Sequence, residues 1–150
     1  MVHLHIELLD EFGVTSAENS SSAVCLLHFD GNKYLFTGDS GVESLKKVIE
    51  YANNNGIDLT NLYFLQVPHH GSKRNVSPII LNAIKGEVAY VSASKDAPKH
   101  PSKKVLNALK KRGTRVYSTE GTNLISVHNR PMRPGYSTIN PHVFYDKVEE

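Results

Sequence analysis

The stretch Asn61-Leu-Tyr-Phe-Leu-Gln-Val-Pro-His-His-Gly-Ser72 constrains this chain more than any other. Leu62 to Val67 is a short apolar run rich in aromatic and β-branched side chains, which predicts a buried strand. Pro68 cannot donate a ladder hydrogen bond, so the strand ends there. Two adjacent histidines follow, and Gly71 then lets the backbone turn sharply. Lys33-Tyr-Leu-Phe-Thr-Gly-Asp39 has the same design, a strand ending in glycine and a carboxylate. Open α/β sheets build their sites at the carboxyl ends of strands. Asp39, His69 and His70 are therefore the first candidate functional residues.

The chain's 150 residues suit one domain with a real core. The net charge of +2 is too small to argue for nucleic acid by itself. Eight histidines mildly favour metal chemistry. The single Cys25 lies in the apolar run Ala23-Val-Cys-Leu-Leu27, which reads as a buried small hydrophobe and excludes an internal disulfide. No apolar run approaches membrane-spanning length. The N-terminus lacks the basic-then-apolar layout of a signal peptide. The expectation is a cytoplasmic chain, or one cut from something larger.

In order, alternating Val2, Leu4, Ile6 and Leu8 predict a strand with His3, His5 and Glu7 on its other face. His3 and His5 have the spacing of a metal pair; the plainer reading is an exposed strand face. Gly13 to Ser22 is a loop. Ala23 to Phe29 and Lys33 to Thr37 are strands joined by the hairpin signal Asp30-Gly31-Asn32, hence antiparallel. Val42 to Asn53 has helical spacing, and Gly56 follows its end. Ser77-Pro78 opens a second helix that stops near Gly86. Glu87 to Ser92 is a strand. Ser102 caps a helix from Lys103 to Arg112, closed by Gly113. Thr114 to Ser118 and Leu124 to His128 are two further strands, and Ile139 to Glu150 is a final strand or a packed tail. The sum is a single α/β domain, a mixed β-sheet flanked by helices.

A divalent metal such as zinc needs several N, O or S donors converging on one point, and carboxylate with imidazole from separate strand ends can supply them. An aspartate can bridge two cations, and such a pair clamps an in-line phosphoryl displacement. Ser72, Lys73, Arg74 and the loop amides near Gly71 would then hold an anionic substrate.

Asn19-Ser-Ser-Ser22, Tyr34-Leu-Phe-Thr-Gly-Asp39, Leu65-Gln-Val-Pro-His-His-Gly-Ser72, His100-Pro-Ser102 before a helix, and Arg115-Val-Tyr-Ser-Thr119 with Gly121 resemble the metallo-β-lactamase superfamily. The similarity is greatest to the hydrolase domain of ComEC-type DNA-uptake competence proteins. It covers about residues 19 to 128, leaving 129–150 as an extension. The resemblance implies an αββα sandwich with a dinuclear site, usually zinc, and hydrolysis by a metal-activated water. Asp39 matches the metal-bridging aspartate. The His69-His70 pair contains the last histidine ligand: His70 is favoured as ligand and His69 as a catalytic or substrate contact, with the reverse assignment as the alternative. His100 matches a site-adjacent position suited to substrate binding.

The family's principal ligands lie in a His-x-His/Asp-x-Asp-His segment upstream of the Gly-Asp strand. His3-Leu-His5 is followed by Ile6 and Glu7 and does not fill that role. The chain therefore resembles the C-terminal half of such a hydrolase, acting on a phosphodiester or related ester and inactive alone. Its sheet would expose a face that the missing N-terminal half or a second copy covers. The alternatives are a non-catalytic interaction or regulatory domain that kept the fold, and a nucleic-acid-binding module using Lys73, Arg74, Lys103, Lys104 and Lys110-Lys-Arg112.

Overall fold

The computed structural model describes residues 7–127 and 130–149. Five strands form one sheet in the spatial order β1-β2-β3-β4-β5: β1 (Cys25–Phe29), β2 (Asn32–Phe36), β3 (Leu62–Gln66), β4 (Gly86–Val91) and β5 (Arg115–Ser118). The α1 turn (Ala17–Ser20) precedes β1, and α2 (Val42–Asn54), α3 (Pro78–Ala83) and α4 (Lys103–Lys111) make the three crossovers. Asp30 and Gly31, at φ 50° and 74°, form the two-residue turn whose twist suits a hairpin, so β1 returns antiparallel as β2. The remaining neighbours are parallel.

One face of the sheet carries the core. Leu35, Leu65, Val67, Ala89, Val91 and Val116 meet Leu45 of α2, Ile80 and Leu81 of α3, and Val105, Leu106 and Leu109 of α4 in one buried cluster. Ser77 caps α3 by accepting from the Ile80 N–H at 3.4 Å, with Pro78 next, as its sequence predicts. Ser102 occupies the cap position of α4 but does not cap it. Its hydroxyl donates to the Glu149 carboxylate, which itself accepts from the Lys103 N–H at 3.1 Å. A charged acceptor from the C-terminal segment has displaced the serine there.

The opposite face carries a row of rings. Tyr34 meets Tyr63 at 5.4 Å between centroids, Phe36 meets Phe64 at 5.6 Å, Phe64 meets Tyr90 at 5.1 Å and Tyr90 meets Tyr117 at 5.8 Å. The row crosses β2 to β5, and on β1 it runs into Leu27 and Phe29, 49% and 65% exposed.

Three expectations are corrected, and the choice left open for the C-terminal segment is settled. Cys25 is exposed, because it pairs with Phe36 on the edge strand and points to the ring-bearing face rather than the helical one. Leu124 to Val127 forms no strand; Ser126 reaches the Tyr63 hydroxyl at 3.4 Å, so this segment lies against the rings instead of extending the sheet. The Val116 carbonyl takes its outer hydrogen bond from the His142 N–H at 2.8 Å. Residues 139–149 are thus a packed tail, not a strand, anchored also by Asn107 to the Tyr145 backbone at 2.9 Å. Arg112 is not a free cation: it holds Glu7 through two bonds of 2.8 and 3.0 Å and Asn82 at 2.9 Å. His3 and His5 lie outside the described residues. Among the described residues no helix is long and apolar enough to cross a membrane.

Candidate functional site

The loop after β2 is built by its neighbours. The Thr37 and Gly38 N–H groups both donate to Gln66 Oε1 at 3.1 Å, and the Thr37 hydroxyl donates to the Gln66 carbonyl at 2.8 Å. Gly38 has φ 54°, a left-handed conformation that glycine adopts without strain. The Asp39 N–H then donates to Ser22 Oγ at 3.1 Å. Asn75, 1% exposed, donates from Nδ2 to the Asp39 and Ser40 carbonyls at 2.9 and 3.2 Å. The backbone of Asp39 is therefore pinned, and its half-buried side chain stands at the carboxyl end of the sheet.

His69, His70 and Gly71 follow β3 with φ 45°, 54° and 74°, three successive left-handed residues. For the two histidines this conformation costs on the order of 1–2 kcal/mol each. Strain of this kind persists only where surrounding bonds over-determine it, and it clusters at functional sites. Those bonds are present. The His69 N–H donates to the Gly38 carbonyl at 3.1 Å, the Ser72 N–H to the His69 carbonyl at 3.0 Å, and the Ser102 N–H to the Gly71 carbonyl at 3.0 Å. The last brings in the loop carrying His100. Its ring lies 5.8 Å from that of His69 and 6.4 Å from that of His70, and the His69 and His70 rings are 5.8 Å apart.

Each imidazole has a distinct environment. His70 Nδ1 lies 2.6 Å from the Ser92 carbonyl, which only accepts, so Nδ1 carries a proton and, in the neutral ring, Nε2 is the nitrogen with the lone pair. Metal-binding imidazoles are held in this manner. His69 Nδ1 faces Asn19 Nδ2 at 2.8 Å. His100 Nδ1 is buried without a hydrogen-bond partner. Burial first, then the charges of His69, His70 and Lys99, hold the His100 pKa below the ordinary histidine value.

The sequence-derived candidates are thus only partly brought together. His69, His70 and His100 form one cluster, and Asp39 adjoins it through Gly38. Ser72 is 6% exposed and its hydroxyl accepts from the Arg74 N–H at 3.3 Å, which directs it into the loop. Lys73 lines a separate cleft of about 440 Å³ with Arg74 and Lys104, opposite Asp10 and Phe12. Among the described residues no three His, Cys, Asp or Glu side chains converge to hold a metal ion. The donors described here do not make a complete zinc site. Thr15, Asn19, Ser22, Gln66, Asn75 and Ser92, which orient the candidates, carry no chemistry-bearing signature of their own; only Asn19, Ser22 and Gln66 fall in a motif of the resemblance.

No family model matches the chain, and no solved structure matches it. The chain is 32% identical over 127 residues to Recombination protein 2 of Haemophilus influenzae, across 83% of this chain and 15% of that protein. It is 27% identical over 135 residues to ComE operon protein 3 of Bacillus subtilis, across 89% of this chain and 17% of that protein. The chain spans between 15% and 17% of the length of these relatives, and both similarities point to competence-related proteins.

Proposed function

We propose that this chain is the C-terminal half of a metal-dependent hydrolase of the metallo-β-lactamase superfamily, cleaving a phosphodiester or related ester. Asp39 and His70 contribute to binding zinc or another divalent metal, and the remaining donors come from outside this chain. Such a metal would supply Lewis-acid activation of water. His69 and His100 face the substrate, whereas Lys73 lies in the separate cleft and takes no part in this reading. One observation carries the reading: three imidazoles cluster at the carboxyl end of β3 and are tied to the Gly38-Asp39 loop by the His69 N–H. The incomplete donor set agrees with a half site that turns over little alone. The exposed rings agree with a second layer, either the N-terminal half or another copy.

The test is hydrolysis of bis(p-nitrophenyl) phosphate with zinc or manganese, by the chain alone and by the chain joined to the segment preceding the matched region in the Haemophilus relative. The chain alone stays near background; the joined protein turns over and loses activity on Asp39→Ala. A folded joined protein without turnover, or robust turnover by the chain alone, contradicts the reading. The ring row and incomplete donor set also favour a second reading, a non-catalytic interaction domain, which the first of those outcomes would support.

A further inference from the structure

Two adjacent histidines with the same backbone conformation are held by partners of opposite kind. Ser92 offers His70 a carbonyl, which requires a proton on Nδ1. Asn19 offers His69 an amide nitrogen, 2.8 Å from Nδ1. That amide has two hydrogens, and its other contact is Thr15 Oγ1 at 2.9 Å. With one hydrogen on each, His69 Nδ1 is an acceptor, and the imidazole carries its proton on Nε2.

The support for Asn19 is built rather than incidental. Asn19 sits in α1, whose cap Ser16 accepts from the Asn19 N–H at 3.3 Å. Thr15 reaches it across Gly41, where an added Cβ would stand 2.1 Å from Thr15 Cγ2, so no larger residue fits. Thr15 Oγ1 also receives Asn75 Nδ2 at 3.4 Å, which joins this amide to the one pinning the Asp39 loop.

We propose that Asn19 is a positioning residue that fixes His69 in the Nε2–H tautomer, so that the His69-His70 pair presents one hydrogen-bond donor and one open lone pair. In terms of the hydrolase reading, on which this division of labour rests, His69 donates to an oxygen of an anionic substrate while His70 offers its lone pair to an electrophile. Two identical tautomers would give two donors or two acceptors and could not divide the work in this way.

Nitrogen-15 correlation spectra of histidine-labelled protein read each tautomer directly, without metal or substrate. At pH about 8, above the ordinary histidine pKa of about 6.5, His69 shows the Nε2–H pattern and His70 the Nδ1–H pattern, assigned with His69→Gln and His70→Gln. Asn19→Asp presents a carboxylate, which only accepts, and switches His69 to Nδ1–H while leaving His70 unchanged. A purely structural Asn19 would alter stability without that switch. His69 as Nδ1–H in the wild type, or unaltered in folded Asn19→Asp, overturns the proposal. Should Asn19→Asp fail to fold, the wild-type spectrum alone decides. An inactive hydrolase with the stated tautomers would count against the function and not against the role of Asn19.

Discussion

The His69 N–H donates to the Gly38 carbonyl at 3.1 Å. This bond lies beyond the last paired residues of β2 and β3, Leu35 with Leu65, and continues their association past the strand ends. Gly38 precedes Asp39 and His69 precedes His70, so the bond sets the relative position of the two side chains on which the functional reading rests. Both residues in it are left-handed, and glycine and histidine meet that demand at different cost.

Asn75→Ala removes the donor shared by the part-buried Asp39 carbonyl and the buried Ser40 carbonyl. Leaving buried acceptors unsatisfied costs about 1–3 kcal/mol. Urea unfolding is expected to show a loss of that size. A change below the error of the measurement would mean that the Asp39 loop does not depend on this amide.

Gly41→Ala places a methyl 2.1 Å from Thr15 Cγ2 and is expected to destabilise by about 1–3 kcal/mol. Thr15→Ser removes that methyl and keeps the hydroxyl that Asn19 and Asn75 reach. The double variant should therefore recover much of the loss, a coupling that a thermal-melt double-mutant cycle measures. Additive losses would show that the clash is not the cause.

The ring-bearing face is expected to mediate association. Light scattering of the wild type at rising concentration should report species larger than a monomer, and Phe29→Ser with Phe36→Ser should shift them toward monomer, since both rings are exposed. A wild type that stays monomeric throughout would argue against a covered face.

The tail is expected to loosen in acid. His142 binds Ser118 Oγ at 2.9 Å and the Tyr145 hydroxyl at 2.8 Å. Burial lowers its pKa most, Glu120 opposes this, and Lys110 adds to the lowering. A histidine whose folded pKa lies below the unfolded value of about 6.5 contributes stability that is full above that value and is lost as pH falls through the folded one. The protection factor of the His142 amide, taken relative to the slower intrinsic exchange in acid, should fall over that range, and His142→Gln should flatten the response. Equal pH dependence in the variant would place the effect elsewhere.

Much of the fold was legible because local signals agreed with the final packing. Asp30-Gly31 gave the hairpin, Ser77-Pro78 the start of α3, and the spacing of Val42, Leu45 and Ala52 the buried stripe of α2. Cys25 was misread because a short apolar run does not say which face of a sheet is covered. Leu124 to Val127 was misread because strand-like composition is satisfied equally by lying against rings. The part played by Glu149 at α4 was not legible: a carboxylate 46 positions from Lys103 is brought there only by the path of the tail. The pair of strand ends could be read as a site, whereas Asn19, Asn75 and Ser92 act through contacts between residues distant in sequence.

Zinc binding tests the central claim most directly. Competition of the purified chain against a chromophoric chelator should reveal weak binding that falls at least about tenfold (1.4 kcal/mol) in Asp39→Ala and in His70→Ala, and persists in His69→Gln. No zinc binding by the wild type, or binding undiminished in both Asp39→Ala and His70→Ala, would contradict the assignment of these two residues as the chain's share of a metal site.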